Sequence, residues 1–504
     1  MSKTNATPYI GSYVLETLTT GMYGQSENAL REYVQNSFDS IRAATRLGIM
    51  TKSQGRIDVT LADSDALVIR DNGVGISTSA AWGTLTSIGA SKKDRTKDAG
   101  FRGIGRLAGI AFCKKLVFRT KAAEELTEST VTFDCVVLRE GMNPDTGGSL
   151  NLADLLSKAV SLTTSKATSH TEHFMEVTLS GLDEAPAIFK DLDQIRDYLA
   201  ETSPIDYDPG WTAGKEVSQK AAEAGWVVET VKLFVAGPGQ PSRPVYKLYR
   251  SSFPLIGGKS QKISRIESYL DPHRNWWAWV GFPDVTAMIA DERVHGIRVR
   301  VKNIQVDSTT IFDEIFATLN VSYARFNTWY VGEVHINASL LVPNARRDGF
   351  EDTEAWSKLR LDLSKAICAG LAKRAYDLSK DRQKSIEKIE KDVAALTSKT
   401  EKYALKGEDS DERYRLLSSN ATLKAKISAA LEGALPDTQL RFKAQLSALE
   451  VAKKRLSKGP ESDQAENRKQ VVEQVLEQVL LTLQAYLDPE LFTTVKRALK
   501  AKVK

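Results

Sequence analysis

The sequence has 504 residues, of which 42% are hydrophobic and 26% are charged, and its formal net charge is +5. This length allows two or three folded domains, each with its own core. No apolar run approaches the roughly 20 residues needed to cross a bilayer, so a membrane-spanning helix is excluded. The modest charge does not choose between nucleic acid and protein as a partner.

The cysteines and the N-terminal residues bear on metal binding and location. Cys113, Cys135 and Cys368 lie far apart, and the histidines are dispersed between residues 170 and 335, so neither residue type offers a metal site. Residues 1–6 lack the apolar core of a signal peptide. We therefore expect a reducing, cytoplasmic location. The motif Gly-x-x-x-x-Gly-Lys-Ser/Thr does not occur, which excludes a P-loop mechanism.

The first predicted element that carries chemistry is a helix over residues 29–41. Glu32, Asn36 and Asp39 stand at i, i+4 and i+7, which places a carboxylate, an amide and a second carboxylate along one stripe. The other positions with helical spacing are apolar, so the helix can pack against a core while this stripe faces a cavity. These apolar positions are Leu30, Tyr33, Val34, Phe38 and Ile41. The pattern is typical of one side of a site for a metal and a nucleotide.

The next segments predict a strand, a lid and a phosphate site. The apolar residues 67–69 lead into Asp71, which we expect at the end of a strand, in a turn that Gly73 and Gly75 make permissive. Residues 86–98 are polar and charged, as in a lid that closes over a ligand. Three glycines between residues 100 and 105 then precede an apolar helix, whose first backbone N–H groups would bind phosphate.

These three motifs, in this order between residues 26 and 112, resemble those of the GHKL ATPase superfamily. That superfamily contains Hsp90 chaperones, the ATPase subunits of type II topoisomerases, MutL, MORC proteins and sensor histidine kinases. The resemblance implies an α/β fold, a Bergerat-type α/β sandwich, with ATP and Mg²⁺ as cofactors. Glu32 would be the general base that deprotonates the attacking water, Asn36 would hold the Mg²⁺, and Asp39 would support them.

The resemblance assigns the second and third motifs to the nucleotide. Asp71 would accept a hydrogen bond from the adenine amino group, with Gly73 and Gly75 holding the backbone close to the base. Ser91 and Lys92, or Lys93 in its place, resemble a Ser-Lys pair that lies near the phosphates in MutL-like and MORC-like members, although such a loop is often merely solvated. The nucleotide-binding residues of the third motif would be Gly100, Phe101, Arg102, Gly103, Ile104 and Gly105.

Two further features bear on the place of the sequence within the superfamily. Histidine kinases generally lack the water-activating glutamate, whereas this sequence has Glu32 and no histidine before His170, which favours a hydrolase. The family also places a Gly-Thr pair near adenine on a later strand. The matching strand is predicted at residues 173–179, but Thr171 is not in register with that pair, so no residue is assigned to this contact.

The middle of the chain is predicted to be rich in short strands. Residues 296–306 alternate apolar and polar, which predicts a strand or hairpin with a cationic outer face, in the simplest interpretation a solvated edge strand. Trp276, Trp277 and Trp279 are interpreted as core rather than as a base-stacking platform. The predicted strands cover residues 227–234, 244–248, 276–280, 297–301 and 332–336.

Residues 332–350 resemble the segment of the Hsp90 middle domain that carries a catalytic Asn-x-x-Arg-Glu motif. Asn344 and Arg347 match its asparagine and arginine, and Asp348 replaces its glutamate. The resemblance implies that Arg347 reaches the γ-phosphate when the second domain docks, where an arginine stabilises charge on the transferring group. A surface arginine is the alternative.

From about residue 355 onward the pattern is helical. Residues 386–403 carry apolar residues at 3,4 spacing in a Lys/Glu-rich background, which predicts a coiled-coil seam that pairs within the chain or with a second copy. The last helix, running through Leu487, is apolar on more than one face. We therefore expect other helices or a partner to bury it, and it is the favoured dimer element.

The sequence thus predicts three domains and an enzyme. The domains are an ATP-binding domain at residues 1–203, an S5-like α/β transducer domain at 204–355 and an all-helical region at 356–504. The predicted function is a Mg-dependent ATPase that acts as an ATP-gated homodimeric clamp or switch on a protein partner or effector, in chaperoning, signalling or phage defence, and not on a membrane. The alternatives are a DNA-engaging clamp of MORC or MutL type, which salt-dependent DNA binding would identify, and a nucleotide-sensing scaffold without hydrolysis.

Overall fold

In a computed structural model, the chain folds into two compact units. The first unit lies within residues 1–377, and the second begins at Leu378. The structure describes residues 10–19, 21, 26–62, 65–90, 93–94, 96, 98–100, 103–143, 145, 151–182, 184–255, 260–283, 287–344, 346–406, 410–431, 436–457 and 464–502. Across these ranges, every helix is too short or too polar to cross a bilayer.

An eight-stranded sheet forms one half of the first unit. Its strands are β1 (Arg56–Ala62), β2 (Ala66–Asp71), β3 (Lys115–Lys121), β4 (Thr127–Asp134), β5 (Val160–Lys166), β6 (Phe174–Ser180), β7 (Lys232–Ala236) and β8 (Arg243–Pro244). They lie in the order β5-β4-β3-β6-β2-β1-β7-β8. Neighbouring strands are antiparallel except β1 and β7, which are parallel.

Helices accompany this sheet. They are α1 (Tyr13–Leu18), α2 (Asn28–Arg46), α3 (Thr78–Thr86), α4 (Cys135–Met142), α5 (Leu152–Ala159) and α6 (Leu192–Thr202), whereas α7 (Thr212–Glu223) packs with a second sheet. The apolar stripe of α2, including Leu30, Val34 and Phe38, lies in one buried cluster with Val59 of β1 and Ile69 of β2. Because side chains alternate along a strand, Asp71 lies two residues beyond Ile69 on the same face of the sheet. The predicted helix therefore packs over the face that carries Asp71.

The second half of the first unit is a six-stranded sheet. Its strands are β9 (Ser252–Pro254), β10 (Ser260–Leu270), β11 (Trp276–Pro283), β12 (Gly296–Val301), β13 (Ile304–Val306) and β14 (Val331–Ile336), in the order β13-β12-β14-β11-β10-β9. The helices α8 (Thr310–Leu319) and α9 (Glu354–Leu363) bury apolar residues in the core of this sheet. Trp276, Trp277 and Trp279 are buried, so the interpretation of these tryptophans as core residues is confirmed.

The second unit consists of helices in the described ranges. The helices are α10 (Ala369–Lys406), which begins in the first unit, α11 (Ser410–Leu431), α12 (Pro436–Ser457), α13 (Gln464–Gln484) and α14 (Pro489–Lys502). The predicted seam of α10 is buried within the chain, because Ile386, Val393 and Leu396 share one cluster with residues of α11 and α12. An α/β fold followed by a helical C-terminal region is therefore confirmed.

Two sequence-based expectations differ from the structure, and a third remains untested. Arg298 and Arg300 of β12 are each 1% exposed rather than on a solvated face, because Glu201 and Glu333 pair with them. The strands predicted at 227–234 and 244–248 occur as β7 and β8, which extend the first sheet beyond residue 203. In α13, Leu480 is buried, but Val471, Val472, Val475, Val479 and Leu481 are exposed, so burial of this helix by a partner stays a prediction.

Candidate nucleotide site

A cavity of about 280 Å³ lies between α2 and the first sheet. Most of the residues proposed from sequence meet there, although they come from four separate stretches of chain. Those that line it are Glu32, Asn36, Asp39, Asp71, Gly75, Gly100, Gly103, Ile104, Gly105 and Arg347. Gly73 contributes from beside the cavity through its backbone. Ser91, Lys92, Phe101 and Arg102 lie outside the described residues.

Glu32 is held at the floor of this cavity. It is 8% exposed, and Nε of Arg347 donates to its Oε1 over 3.2 Å. Gly105 is packed so closely against Glu32 that a β-carbon on Gly105 would lie 2.0 Å from Oε2. Only glycine therefore allows the end of the third motif to approach the carboxylate this closely.

Arg347 reaches the cavity from the loop after β14. The N–H of Asn344 donates to the Gly349 carbonyl over 3.0 Å, which closes the loop, and Arg347 itself adopts φ of 58°. Its Nη2 donates to the Ala99 carbonyl over 2.5 Å. Burial lowers the pKa of Arg347, while Glu32 opposes that change. The guanidinium remains a cation, and it holds both the carboxylate of Glu32 and the backbone before Gly100.

Asn36 and Asp39 form a pair of oxygens that holds a cation. Nζ of Lys93 lies 3.0 Å from Oδ1 of Asn36 and 3.1 Å from Oδ2 of Asp39. Burial raises the pKa of Asp39, but the charge of Lys93 and the N–H groups of Ala99 and Gly100 outweigh it, so the pKa is lowered overall. Of the two lysines considered from sequence, Lys93 lines this cavity, and Lys92 lies outside the described residues.

Asp71 offers an unpaired hydrogen-bond acceptor in the same cavity. The Gly73 N–H donates to Oδ1 over 2.9 Å, while Oδ2 is buried without a hydrogen bond to any described residue. Burial raises the pKa of Asp71 to about 6, although Ser37, the Gly73 N–H and Ser40 act to lower it. A buried orphan carboxylate oxygen is costly unless a ligand donates to it.

The wall beside Asp71 is apolar. Met175 and Val177 of β6 line the cavity with Phe118 of β3, and Met175 is the register partner of Asp71. Thr171 is exposed and is absent from the lining. An apolar wall next to one acceptor suits a planar base with an amino group.

Sequence reasoning missed Arg106, which follows the third motif and also lines the cavity. Its guanidinium donates to the carbonyls of Leu85, over 3.2 Å, and of Ser87 at the end of α3. Burial lowers the pKa of Arg106 to about 10. No periodic pattern marks this residue, because its partners are backbone carbonyls.

The residues present fit ATP and Mg²⁺. Asp71 Oδ2 is an unfilled acceptor, Gly100 and Gly105 leave room that a β-carbon would fill, and Asn36 and Asp39 already hold a cation. Among the described residues, no cluster of three or more His, Cys, Asp or Glu side chains could hold a metal alone. Mg²⁺ in nucleotide sites needs only one or two protein oxygens besides phosphate and water.

Comparison with known proteins agrees with this geometry. Residues 23–145 match the family described as histidine kinase-, DNA gyrase B-, and HSP90-like ATPase. No curated protein matches the sequence. The matched segment contains α2, β2 and the glycines of the third motif, whereas Met175, Val177 and Arg347 of the cavity lie outside it. Residues 23–145 therefore match the GHKL ATPase superfamily, and the sheet to which they contribute extends beyond them to β8.

Proposed function

We propose that this chain hydrolyses ATP, with Glu32 as general base and Arg347 as the cation that stabilises the transferring phosphoryl group. One observation carries the proposal: Glu32, Asn36, Asp71 and Arg347 line a single cavity, although Arg347 lies 315 residues from Glu32 in sequence. A carboxylate, a metal-ligand amide, an orphan acceptor and a buried arginine together suit phosphoryl transfer to water.

The chain's own residues divide the work. Asp71 Oδ2 would accept from the adenine amino group, and the backbone of residues 100–105 would face the phosphates. Asn36 Oδ1 is the oxygen available to Mg²⁺, which when bound would neutralise phosphate charge. Lys93 would then exchange its contacts with Asn36 and Asp39 for phosphate oxygens.

The ion pair between Glu32 and Arg347 supports a switch. The guanidinium of Arg347 occupies Oε1 of Glu32, so this oxygen is not free to contact a water molecule while the ion pair lasts. Phosphate oxygens compete for the same guanidinium, so arrival of ATP would release the base and recruit the arginine in one step. Hydrolysis and loss of phosphate would restore the pair.

We infer that the switch operates in a homodimeric clamp on a protein partner or effector, in a chaperone-like or signalling role that includes phage defence. The support is the exposed apolar face of α13, formed by Val471, Val472, Val475 and Val479. A contiguous apolar surface on a helix is a common interaction site.

The test is steady-state hydrolysis of Mg-ATP by the wild type, Glu32→Ala and Glu32→Gln, with nucleotide affinity measured on the same preparations. We expect both variants to bind ATP and to lose about 100-fold or more of the turnover. Equal turnover in all three proteins would refute Glu32 as the base. Binding without turnover in the wild type would instead favour the nucleotide-sensing scaffold.

A further inference from the structure

The backbone of Asp98, Ala99 and Gly100 is held from two sides. Asp39 on α2 accepts the N–H groups of Ala99 and Gly100, each over 2.8 Å. From the residues after β12 and β14, Nζ of Lys302 donates to the Asp98 carbonyl over 2.5 Å, and Arg347 donates to the Ala99 carbonyl over 2.5 Å. This short segment ends the predicted lid and begins the phosphate motif, so its position affects both.

Lys302 occupies a conformation that lysine seldom adopts. It is the first residue of the two-residue turn between β12 and β13, and both Lys302 and Asn303 have positive φ, 53° and 60°. Glycine and asparagine favour such turns, and other residues adopt them at some conformational cost. The presence of lysine here points to a use for its side chain.

The other residue of the turn anchors it. Asn303 is buried; its Oδ1 accepts from Nζ of Lys247 over 2.8 Å, and its Nδ2 donates to the Glu229 carbonyl over 3.0 Å. Lys247 in turn lies 2.9 Å from both carboxylate oxygens of Glu333 on β14. The base of Lys302 is thus fixed by the second sheet, while its ammonium contacts the carbonyl of Asp98, a residue that lines the cavity.

The charges around Lys302 favour a carbonyl contact over a simple ion pair. Burial lowers the pKa of Lys302 to about 8, with Asp39 and Asp98 raising it and Arg42 and Arg347 lowering it. The ammonium is therefore still cationic at pH 7, among neighbours of both signs. A backbone carbonyl gives such a cation a defined direction.

We propose that Lys302 is a positioning residue for ATP turnover, because it fixes residues 98–100 through the Asp98 carbonyl and so couples the start of the third motif to the second sheet. The consequence for turnover rests on the proposed ATPase function, whereas the contact itself does not. Loss of the contact should loosen residues 98–100 and shorten the time that nucleotide stays bound.

The experiment uses full-length Lys302→Met and Lys302→Asn. Asparagine tolerates positive φ but cannot reach the Asp98 carbonyl, so the second variant preserves the turn while removing the ammonium. Hydrogen–deuterium exchange of peptides covering residues 96–105 is measured without nucleotide, and dissociation of a fluorescent ATP analogue is measured separately. We expect both rates to rise roughly tenfold in both variants, as for loss of one charge-assisted hydrogen bond, and Lys302→Arg to restore them.

Lys232→Met is the matched control. Nζ of Lys232 also donates to a distant backbone carbonyl, that of Ser53, over 2.8 Å, but Ser53, unlike Asp98, does not line the cavity. Its rates should equal those of the wild type. Wild-type exchange and dissociation in both Lys302 variants would overturn the positioning role while leaving the Glu32 result unaffected. A wild type that does not bind ATP would refute the proposed function. The exchange measurement, made without nucleotide, would still test whether Lys302 positions residues 98–100.

Discussion

Asp71 carries a buried carboxylate that the ligand-free fold does not satisfy. Burial raises its pKa to about 6, and Oδ2 has no hydrogen-bond donor among the described residues. The folded chain therefore binds a proton more tightly than the unfolded chain, so the free energy of unfolding falls as the pH rises from about 4 to about 6. Above that range the carboxylate is ionised in both states, and the cost is constant.

Asp71→Asn should relieve this cost and remove the adenine contact. A shift of about two pKa units is worth about 3 kcal/mol, so we expect the free energy of unfolding at pH 7 to rise by about 1 to 3 kcal/mol. ATP should no longer raise the free energy of unfolding. Urea denaturation at pH 5 and pH 7, with and without ATP, measures both effects. An Asp71→Asn variant that is no more stable than the wild type and still responds to ATP would contradict this account of Asp71.

Gly105→Ala should slow hydrolysis through the single β-carbon that it adds. The new β-carbon would lie 2.0 Å from Oε2 of Glu32, so the carboxylate or the phosphate segment must shift. A displacement of about 1 Å can cost about 100-fold in rate, and we expect a loss of that order in kcat, measured by steady-state hydrolysis.

Gly370→Ala is the control for Gly105→Ala. Gly370 lies within α10, where an added β-carbon meets nothing within 4 Å. Alanine should therefore stabilise the helix by about 1 kcal/mol or less and leave kcat unchanged. Normal turnover in Gly105→Ala would show that the close approach to Glu32 is not needed for hydrolysis.

The residues of the candidate site differ in how well their roles can be predicted from the sequence. The helical spacing of Glu32, Asn36 and Asp39 and the position of Asp71 at a strand end are local patterns, and all four side chains line one cavity. Arg106 and Lys302 bind backbone carbonyls, and the partner of Lys302 lies 204 residues away. Such contacts leave no periodic signal, because any residue can present a carbonyl.

At the scale of elements, β12 shows what an alternating pattern can and cannot predict. The alternation correctly indicated a hairpin with β13, but it did not indicate what covers the polar face. Arg298 pairs with Glu201, and Arg300 with Glu333, so that face is internal. Neither arginine contributes to a basic surface for nucleic acid.

Arg300→Met should therefore destabilise the fold strongly. It would leave the fully buried Glu333 with one cation fewer and would remove a donor to the Glu201 carbonyl, 2.7 Å away. We expect a loss of about 3 to 5 kcal/mol in the free energy of unfolding, as when one member of a buried pair is removed. Chemical denaturation measures it.

Arg265→Met tests the same substitution on another strand of the same sheet. Arg265 pairs with Glu267 on β10, but its side chain is 53% exposed. Its loss should cost less than about 1 kcal/mol. Similar losses from both substitutions would mean that burial of the Arg300 pair does not govern its contribution.

At the scale of the whole molecule, α13 provides the test of the dimer. If its exposed valines join two chains, Val475→Ser with Val479→Ser should shift sedimentation toward the monomer, because each buried valine side chain is worth about 1.5 to 3 kcal/mol. Val227→Ser is the control, since Val227 is a 77% exposed valine of the first unit. A wild type that is monomeric at every concentration, or a double variant that dimerises normally, would argue against α13 as the interface.

The parallel pairing of β1 with β7 also affects how the chain can fold during synthesis. Asp58 of β1 is the register partner of Phe234, so β1 is made long before its neighbour exists. At about 5 to 20 residues per second, a ribosome needs roughly 10 to 30 seconds to make the intervening segment. Throughout that interval one side of β1 has unpaired N–H and C=O groups that could join another nascent chain. During synthesis, β1 would thus need to be shielded from other chains until residue 236 has left the ribosome and β7 can pair with it.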